Sequence, residues 1–198
     1  MPYTDPGARL TFSIRDELAR VEKETGKRPA VIFMQNHGLI AHHDDPDECL
    51  RIHTDVNNRI AEAFGLTGDS FPAVGVRPIE DGMVEADSPF LAEMLRSGAI
   101  DEKFFLETPL YPDQMVFLIG SFAFGKGAPE NDCCLADPAT GRVVFNMAAS
   151  RAQVIAETLT AVVFIADTIR KNGKTLSTMG EAATASRLSK TTISPVLP

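Results

Sequence analysis

The residues best suited to chemistry are the four histidines, three of which fall in one short stretch. His37 lies within Asn36-His37-Gly38, between an apolar run that ends at Met34 and a second run that begins at Leu39. The two runs predict a pair of strands joined by a sharp turn, where Gly38 supplies backbone freedom. An imidazole at such a turn has a fixed direction and an open face, as a metal ligand requires. His37 is therefore the leading candidate metal ligand, with Asn36 and Gly38 as its supporting motif.

The other histidines and the acidic residues have ordinary structural interpretations. His42 and His43 end the second run, where strand alternation puts them on opposite faces and solvent exposure accounts for both. His53 lies beside the apolar stripe of a predicted helix, as a packed or interface histidine does. Four neighbouring carboxylates predict a solvated loop rather than an acid–base pair: Glu80, Asp81, Glu85 and Asp87.

No complete catalytic or metal-binding motif can be identified from spacing. The sequence has no His-x-His, no His-Glu-x-x-His and no cysteine cluster, so no catalytic residue is assigned. Three cysteines without Cys-x-x-Cys spacing indicate reduced thiols, and Cys133-Cys134 is expected to begin a packed strand. Gly125-Lys126-Gly127 does not match a phosphate-binding loop and predicts a mobile turn.

Composition and charge narrow the range of partners. With 198 residues, 44% of them hydrophobic, the chain can form one sizeable core. A net charge of −8 argues against nucleic acid or an anionic membrane as partner, although a local basic pocket could still bind an anionic small molecule. No apolar run is long enough to span a membrane, and the first residues lack signal-peptide features. We therefore expect a cytoplasmic protein.

Strands and helices alternate along the chain, and several strand pairs are hairpins. This order predicts an α/β fold with a mixed, mainly antiparallel sheet covered by helices. One domain is expected over residues 1–172, followed by a polar, flexible tail over 173–198. Helices are predicted at 11–25, 45–64, 88–96 and 148–172, with a weak one at 181–188. Strands are predicted at 30–34, 39–41, 115–119, 134–136 and 143–146. The remaining predictions are extended chain at 104–112, a turn at 120–127, and a loop with at most one short strand at 71–89.

The central stretch from Val31 to Glu48, with the helix after it, resembles the class II aldolase/adducin family. In that family an apolar strand enters Asn-His-Gly, a second strand leaves it, and a helix with an acidic cap follows. The strong match covers residues 29–64, and a weaker match by order of elements extends to 172. Tyr3-Thr-Asp-Pro-Gly7 and Leu110-Tyr-Pro-Asp-Gln114 resemble the sugar-aldolase branch, which includes the rhamnulose and fuculose types.

The resemblance implies a three-layer α/β/α sandwich and a homo-oligomer, usually a tetramer. It also implies a lyase that binds Zn²⁺ or another divalent metal through three histidines, with His37 as the third. Such an enzyme cleaves a sugar phosphate through a metal-stabilised enediolate, as part of carbohydrate metabolism.

The family's His-x-His, acid–base carboxylate and phosphate-binding turns would precede residue 1, so the chain resembles the C-terminal half. A partner chain carrying the missing half, a fragment of a longer protein, and a reduced protein that has lost the chemistry remain open. A non-catalytic, adducin-like assembly or binding module is the alternative function. Epimerase or dehydratase chemistry would use the same metal.

Overall fold

The computed structural model describes residues 1–107 and 109–180. These residues form two compact units, which we call unit 1 (Met1–Thr67) and unit 2 (from Gly68 onward) and describe separately. The helix predicted at 181–188, and most of the predicted tail, lie outside the described residues.

Unit 1 contains the predicted helix–hairpin–helix order, as α1 (Ala8–Thr25), β1 (Val31–Met34), β2 (Gly38–Ala41) and α2 (Pro46–Ala63). The strands pair antiparallel, from Val31 opposite Ala41 to Met34 opposite Gly38. Asp45 caps α2, because its carboxylate accepts hydrogen bonds from the backbone N–H groups of Asp47 and Glu48. The Glu48 side chain, in the first turn of α2, forms an ion pair with Arg51.

Unit 2 is built on a five-stranded sheet with strand order β3-β4-β7-β6-β5. Its pairs are antiparallel except for the parallel pair β5–β6, which confirms the α/β class and the mixed, mainly antiparallel sheet. The strands are β3 (Gly75–Pro78), β4 (Val84–Asp87), β5 (Phe122–Phe124), β6 (Cys134–Asp137) and β7 (Arg142–Phe145); the helices are α3 (Pro89–Arg96), α4 (Glu102–Glu107), α5 (Pro112–Leu118) and α6 (Ala149–Lys171), with a short 3₁₀ turn at Glu80–Gly82.

The core of unit 2 lies between one face of this sheet and its helices. The strand register puts Val84, Phe145 and Cys134 on the same face, and all three belong to the buried cluster that includes the inner side of α6. The same register puts Glu85 and Val144 on the opposite face. The sheet therefore presents its apolar side to the helices and carries a charged residue on its other side.

Two predicted elements are wrong in type. The segment predicted to be extended at 104–112 contains α4, and the strand predicted at 115–119 is α5. A short apolar run fits a buried helix as well as a buried strand, and here Pro112 stands at the first helical position. The predicted loop at 71–89 contains two strands, β3 and β4, and the predicted turn at 120–127 contains β5.

Helix α6 confirms the prediction at 148–172 and forms the centre of the unit 2 core. Contrary to the expectation from the sequence, it is long and apolar enough to cross a membrane, but half of its most apolar 18-residue window is buried within the protein. Its buried residues include Ile155, Leu159 and Val163. Core helices commonly have this composition, so the helix is explained by packing within the unit.

Candidate functional site

The turn that carries His37 is a three-residue loop between β1 and β2. The His37 backbone N–H donates to the Met34 carbonyl at 3.1 Å and closes the loop. Asn36 has a positive φ of 57°, and Gly38, which begins β2, has a φ of 132°. These left-handed angles are tolerated by asparagine and glycine, which explains why Asn-His-Gly forms this turn.

The first four residues of the chain lie beside β1 and complete the surroundings of this turn. The Met1 ammonium group donates to the Phe33 carbonyl at 2.7 Å. The Gln35 backbone N–H donates to the Met1 carbonyl at 3.1 Å, and the Gln35 side chain accepts from the Tyr3 N–H at 3.4 Å. The N-terminal segment is therefore held in an extended path that leads past the imidazole.

The imidazole of His37 is half-buried and is held by two residues of this N-terminal segment. Its Nε2 lies 2.9 Å from the carbonyl oxygen of Thr4, which can only accept, so Nε2 carries the hydrogen. The ring of Tyr3 stacks on it, with centroids 5.0 Å apart and planes 10° apart. In the neutral imidazole, Nδ1 then keeps its lone pair, and it makes no hydrogen bond to any residue that the structure describes.

This arrangement suits a metal ligand, because metal-bound histidines usually donate their other ring N–H to a carbonyl or carboxylate. The donor set is nevertheless incomplete. Among residues 1–107 and 109–180, no three side chains of His, Cys, Asp or Glu converge at one point. Unit 1 therefore offers one oriented imidazole nitrogen rather than a whole metal centre.

The other three histidines have separate environments. His43 is exposed, as predicted, and its Nδ1 accepts a hydrogen bond from the Asp45 N–H at 3.1 Å. The exposure predicted for His42 is wrong: its side chain is half-buried, and its Nε2 is buried without a partner among the described residues. His53 is exposed rather than packed and lies beside the Asn57 amide. The structure does not gather these histidines around His37.

The predicted solvated acidic loop is wrong for two of its four residues: Asp87 ends β4, although its side chain is exposed as predicted, and Glu85 departs from the prediction in both respects. This residue lies on β4, is 5% exposed, and forms ion pairs with Arg77 and Arg142 at 2.8 Å each. The hydrogen bond to Glu85 raises the pKa of Arg142 above its usual value. The alternation in Val84-Glu85-Ala86-Asp87 was the available strand signal, whereas nothing local indicates the two arginines.

The predicted packed strand start is confirmed for Cys134, whereas Cys133 precedes the strand and is half-buried. Cys134 begins β6 and is buried, and burial raises the pKa of its thiol to about 12, with a smaller contribution from Cys133. A thiol protonated at neutral pH is a poor nucleophile and a poor metal ligand. Cys134 therefore belongs to the core and not to a reactive site.

Tyr3 and Thr4 are the site residues that sequence reasoning missed, since more than thirty positions separate them from His37. No family model, curated protein or solved structure matches the chain. Arguments about function therefore depend on the motif and on the geometry around it.

Proposed function

We propose that this chain supplies one ligand, His37 through Nδ1, to a divalent metal of a class II aldolase-like lyase that cleaves a sugar phosphate. The observation that supports the proposal is the bond from Nε2 to the Thr4 carbonyl, which leaves Nδ1 as the ring acceptor. Zn²⁺ or another divalent metal suits an imidazole set, and the remaining ligands come from residues outside these 198. When bound, the metal supplies Lewis-acid polarisation of substrate oxygens.

The chain's own residues position the ligand. The Thr4 carbonyl holds the proton at Nε2, which fixes the tautomer in which Nδ1 can bind a metal. The stacked ring of Tyr3 restricts rotation of the imidazole, and the positive φ of Gly38 keeps the turn tight. These contacts hold the ligand in place in advance and lower the entropy cost of binding.

The same proposal includes a three-layer α/β/α sandwich, assembly as a homo-oligomer or with a partner chain, and a cytoplasmic location. The mixed sheet of unit 2 and the helices packed on one of its faces support two of the three layers of this sandwich. A lyase of this kind needs the missing histidines close to His37, so it requires a further polypeptide segment.

Metal analysis of the protein purified from its native cells, together with whatever co-purifies, tests the proposal. We expect about one divalent metal per site in the wild type, and loss of both metal and retro-aldol activity in His37→Ala. His37→Gln is a second variant, since its amide can still donate to the Thr4 carbonyl but offers no imidazole. His53→Ala is the matched control, because His53 is an exposed histidine of the same unit. Equal metal content in wild type and both His37 variants would exclude His37 as a ligand.

A non-catalytic assembly or binding module is the second candidate, and a specific observation favours it. In unit 1, all of which is described, Ile32 is the only buried hydrophobic residue, while Phe12, Phe33 and Leu50 are each more than half exposed. Apolar side chains left uncovered in this way are typical of surfaces that bind another chain. Light scattering tests this candidate: a protein that stays monomeric at all concentrations contradicts the module. Association is expected of both candidates, so metal content is the measurement that separates them.

A further inference from the structure

A buried carboxylate in unit 2 fixes two arginines on three neighbouring strands. Glu85 on β4 accepts a hydrogen bond from a terminal nitrogen of Arg77 on β3 at 2.8 Å. It also accepts from Nε of Arg142 on β7 at 2.8 Å and from a terminal nitrogen of the same arginine at 3.3 Å. Arg77 and Glu85 are partners in the β3–β4 register. Both guanidinium groups are thus held in defined positions on one face of the sheet.

These contacts use only part of what the two arginines can donate. A guanidinium group has five N–H donors in a rigid plane, and Glu85 engages one from Arg77 and two from Arg142. The side chains are 59% and 52% exposed, whereas that of Glu85 is 6% exposed. Most of the donors therefore remain open to an incoming acceptor.

The arginines line a cleft of about 500 Å³, which is within the range of small-molecule sites. Its walls also include Gly127 and Val144, and the exposed carboxylates of Glu80 and Asp81 belong to its lining. The unused N–H donors of the two arginines suit an oxyanion, although the lining's two guanidinium groups are set against three carboxylates and give it no net positive charge. The side chains of Glu80 and Asp81 can accept hydrogen bonds from hydroxyl groups. The lining fits a small ligand that has both features.

Stability alone does not account for this arrangement. A carboxylate as deeply buried as Glu85 loses its hydration, and its ion pairs roughly compensate for that loss rather than exceeding it. An apolar residue opposite Val144 would serve the sheet equally well. Planar guanidinium groups held in advance are, by contrast, the usual means of recognising phosphate and carboxylate groups.

We propose that this cleft binds a small hydroxylated oxyanion, in which a phosphate or carboxylate group lies against Arg77 and Arg142. Glu85 is the positioning residue that holds the two arginines in place. The site lies within unit 2 and involves no metal, so it does not depend on the function proposed for His37.

Calorimetric titration of the full chain at constant ionic strength tests the proposal, with inorganic phosphate and succinate as separate probes. Arg77→Lys and Arg142→Lys keep the positive charge beside Glu85 but lose the planar donors, so we expect each to weaken binding about tenfold. Arg151→Lys is the matched control, because Arg151 is also 52% exposed and pairs with a single carboxylate, that of Asp132. The control should bind as the wild type does.

The wild-type protein provides a second readout in case a lysine variant unfolds. In nitrogen–proton spectra, the Nε–H signals of Arg77 and Arg142 should move on titration while that of Arg151 stays in place. A response to phosphate alone, or to succinate alone, supports the site and tells which anion it selects. If neither probe binds the wild type, or if the lysine variants bind as tightly as the control, the proposal is overturned.

Discussion

Unit 1 and unit 2 differ in how much apolar surface they bury. Unit 1 is fully described and buries a single hydrophobic side chain, Ile32, although it contains two 18-residue helices. Unit 2 encloses a continuous cluster in which Phe105, Phe145 and Leu159 are at most 1% exposed. The recognisable Asn-His-Gly motif thus lies in the unit with the smaller core. The candidate site is therefore held mainly by a few hydrogen bonds between the N-terminal residues and the β1–β2 hairpin, whereas unit 2 is held mainly by apolar packing.

The largest expected difference between the units comes from removing one phenylalanine ring from each. Phe105 is 1% exposed and contacts the rings of Phe104, Phe122 and Phe124, so Phe105→Ala should lower the free energy of unfolding by about 3–5 kcal/mol. Phe33 is 55% exposed, and Phe33→Ala should cost less than about 1 kcal/mol. Urea unfolding measures both values. Similar losses in the two variants would break the comparison.

Two glycines with matched backbone angles test packing separately from backbone strain. Gly141 in unit 2 has a φ of 74°, and Gly26 in unit 1 has a φ of 69°. A Cβ on Gly141 would collide with the Ala92 carbonyl, whereas a Cβ on Gly26 meets no heavy atom within 4 Å. The shared left-handed strain costs about 1–2 kcal/mol in each alanine variant, and the collision adds about 1–3 kcal/mol to Gly141→Ala.

Thermal and urea unfolding of these two variants gives the difference directly. Because the strain is common to both, it cancels, and the remainder reports how closely the β6–β7 turn approaches α3. Equal destabilisation by Gly141→Ala and Gly26→Ala would mean that the backbone near Gly141 shifts to accommodate the added methyl group at no extra cost.

Two buried groups of unit 2 should make the stability of the protein fall at alkaline pH. Burial raises the pKa of Cys134 and of Tyr111 to about 12, so the folded protein keeps both protons at pH values where the unfolded chain releases them. For Cys134, stability is fully present below the unfolded thiol pKa of about 8.5 and falls by about 1.4 kcal/mol per pH unit above it, until the folded pKa is reached. The Tyr111 hydroxyl adds to the decline only above its own unfolded pKa of about 10.

Urea unfolding at pH 8 and pH 10 measures this loss. Cys134→Ala should flatten the decline between the two pH values, although it also lowers stability at pH 8 by removing a buried side chain. Cys49→Ala, which removes a cysteine of unit 1, is the control. An unchanged slope in Cys134→Ala would show that the thiol ionises in the folded state.

The smallest expected effects come from the helix caps. Asp45→Ala removes the cap of α2 in unit 1, and Ser88→Ala removes the cap of α3 in unit 2, each at a cost of about 1 kcal/mol. Packing holds α3 through Leu91 and Leu95, whereas α2 has no buried residue. Amide hydrogen exchange should therefore show local opening of the first turn in Asp45→Ala and little local change in Ser88→Ala. The reverse pattern would contradict the comparison.

The hairpin, the capped helices and α6 could be predicted, because turn residues, cap residues and the apolar composition of a 23-residue helix are signals carried by residues close together in the sequence. The types of α4 and α5 could not be predicted, since a short buried run such as 115–119 has the same composition in either conformation. The parallel pairing of β5 with β6 depends on distant register and has no local signal.

In the candidate site, too, the local features could be predicted from the sequence and the contacts between distant residues could not. The turn around His37 could be predicted from Asn36 and Gly38, which adopt the positive φ values that it requires. The contacts of Tyr3 and Thr4 with His37, and of Arg142 with Glu85, join residues 33 or more positions apart. Such contacts arise only from the folded chain, and they decide what each side chain can do.

The protonation state of the His37 ring is the most direct test of the site. A long-range nitrogen–proton NMR spectrum of the wild-type protein at neutral pH distinguishes the two ring nitrogens. The bond to the Thr4 carbonyl predicts a proton on Nε2 and a bare Nδ1, and addition of Zn²⁺ should perturb Nδ1 of His37 before any other histidine nitrogen. A proton on Nδ1, or an Nδ1 signal of His37 that Zn²⁺ leaves unchanged while other histidines respond, would contradict the assignment of His37 as a metal ligand.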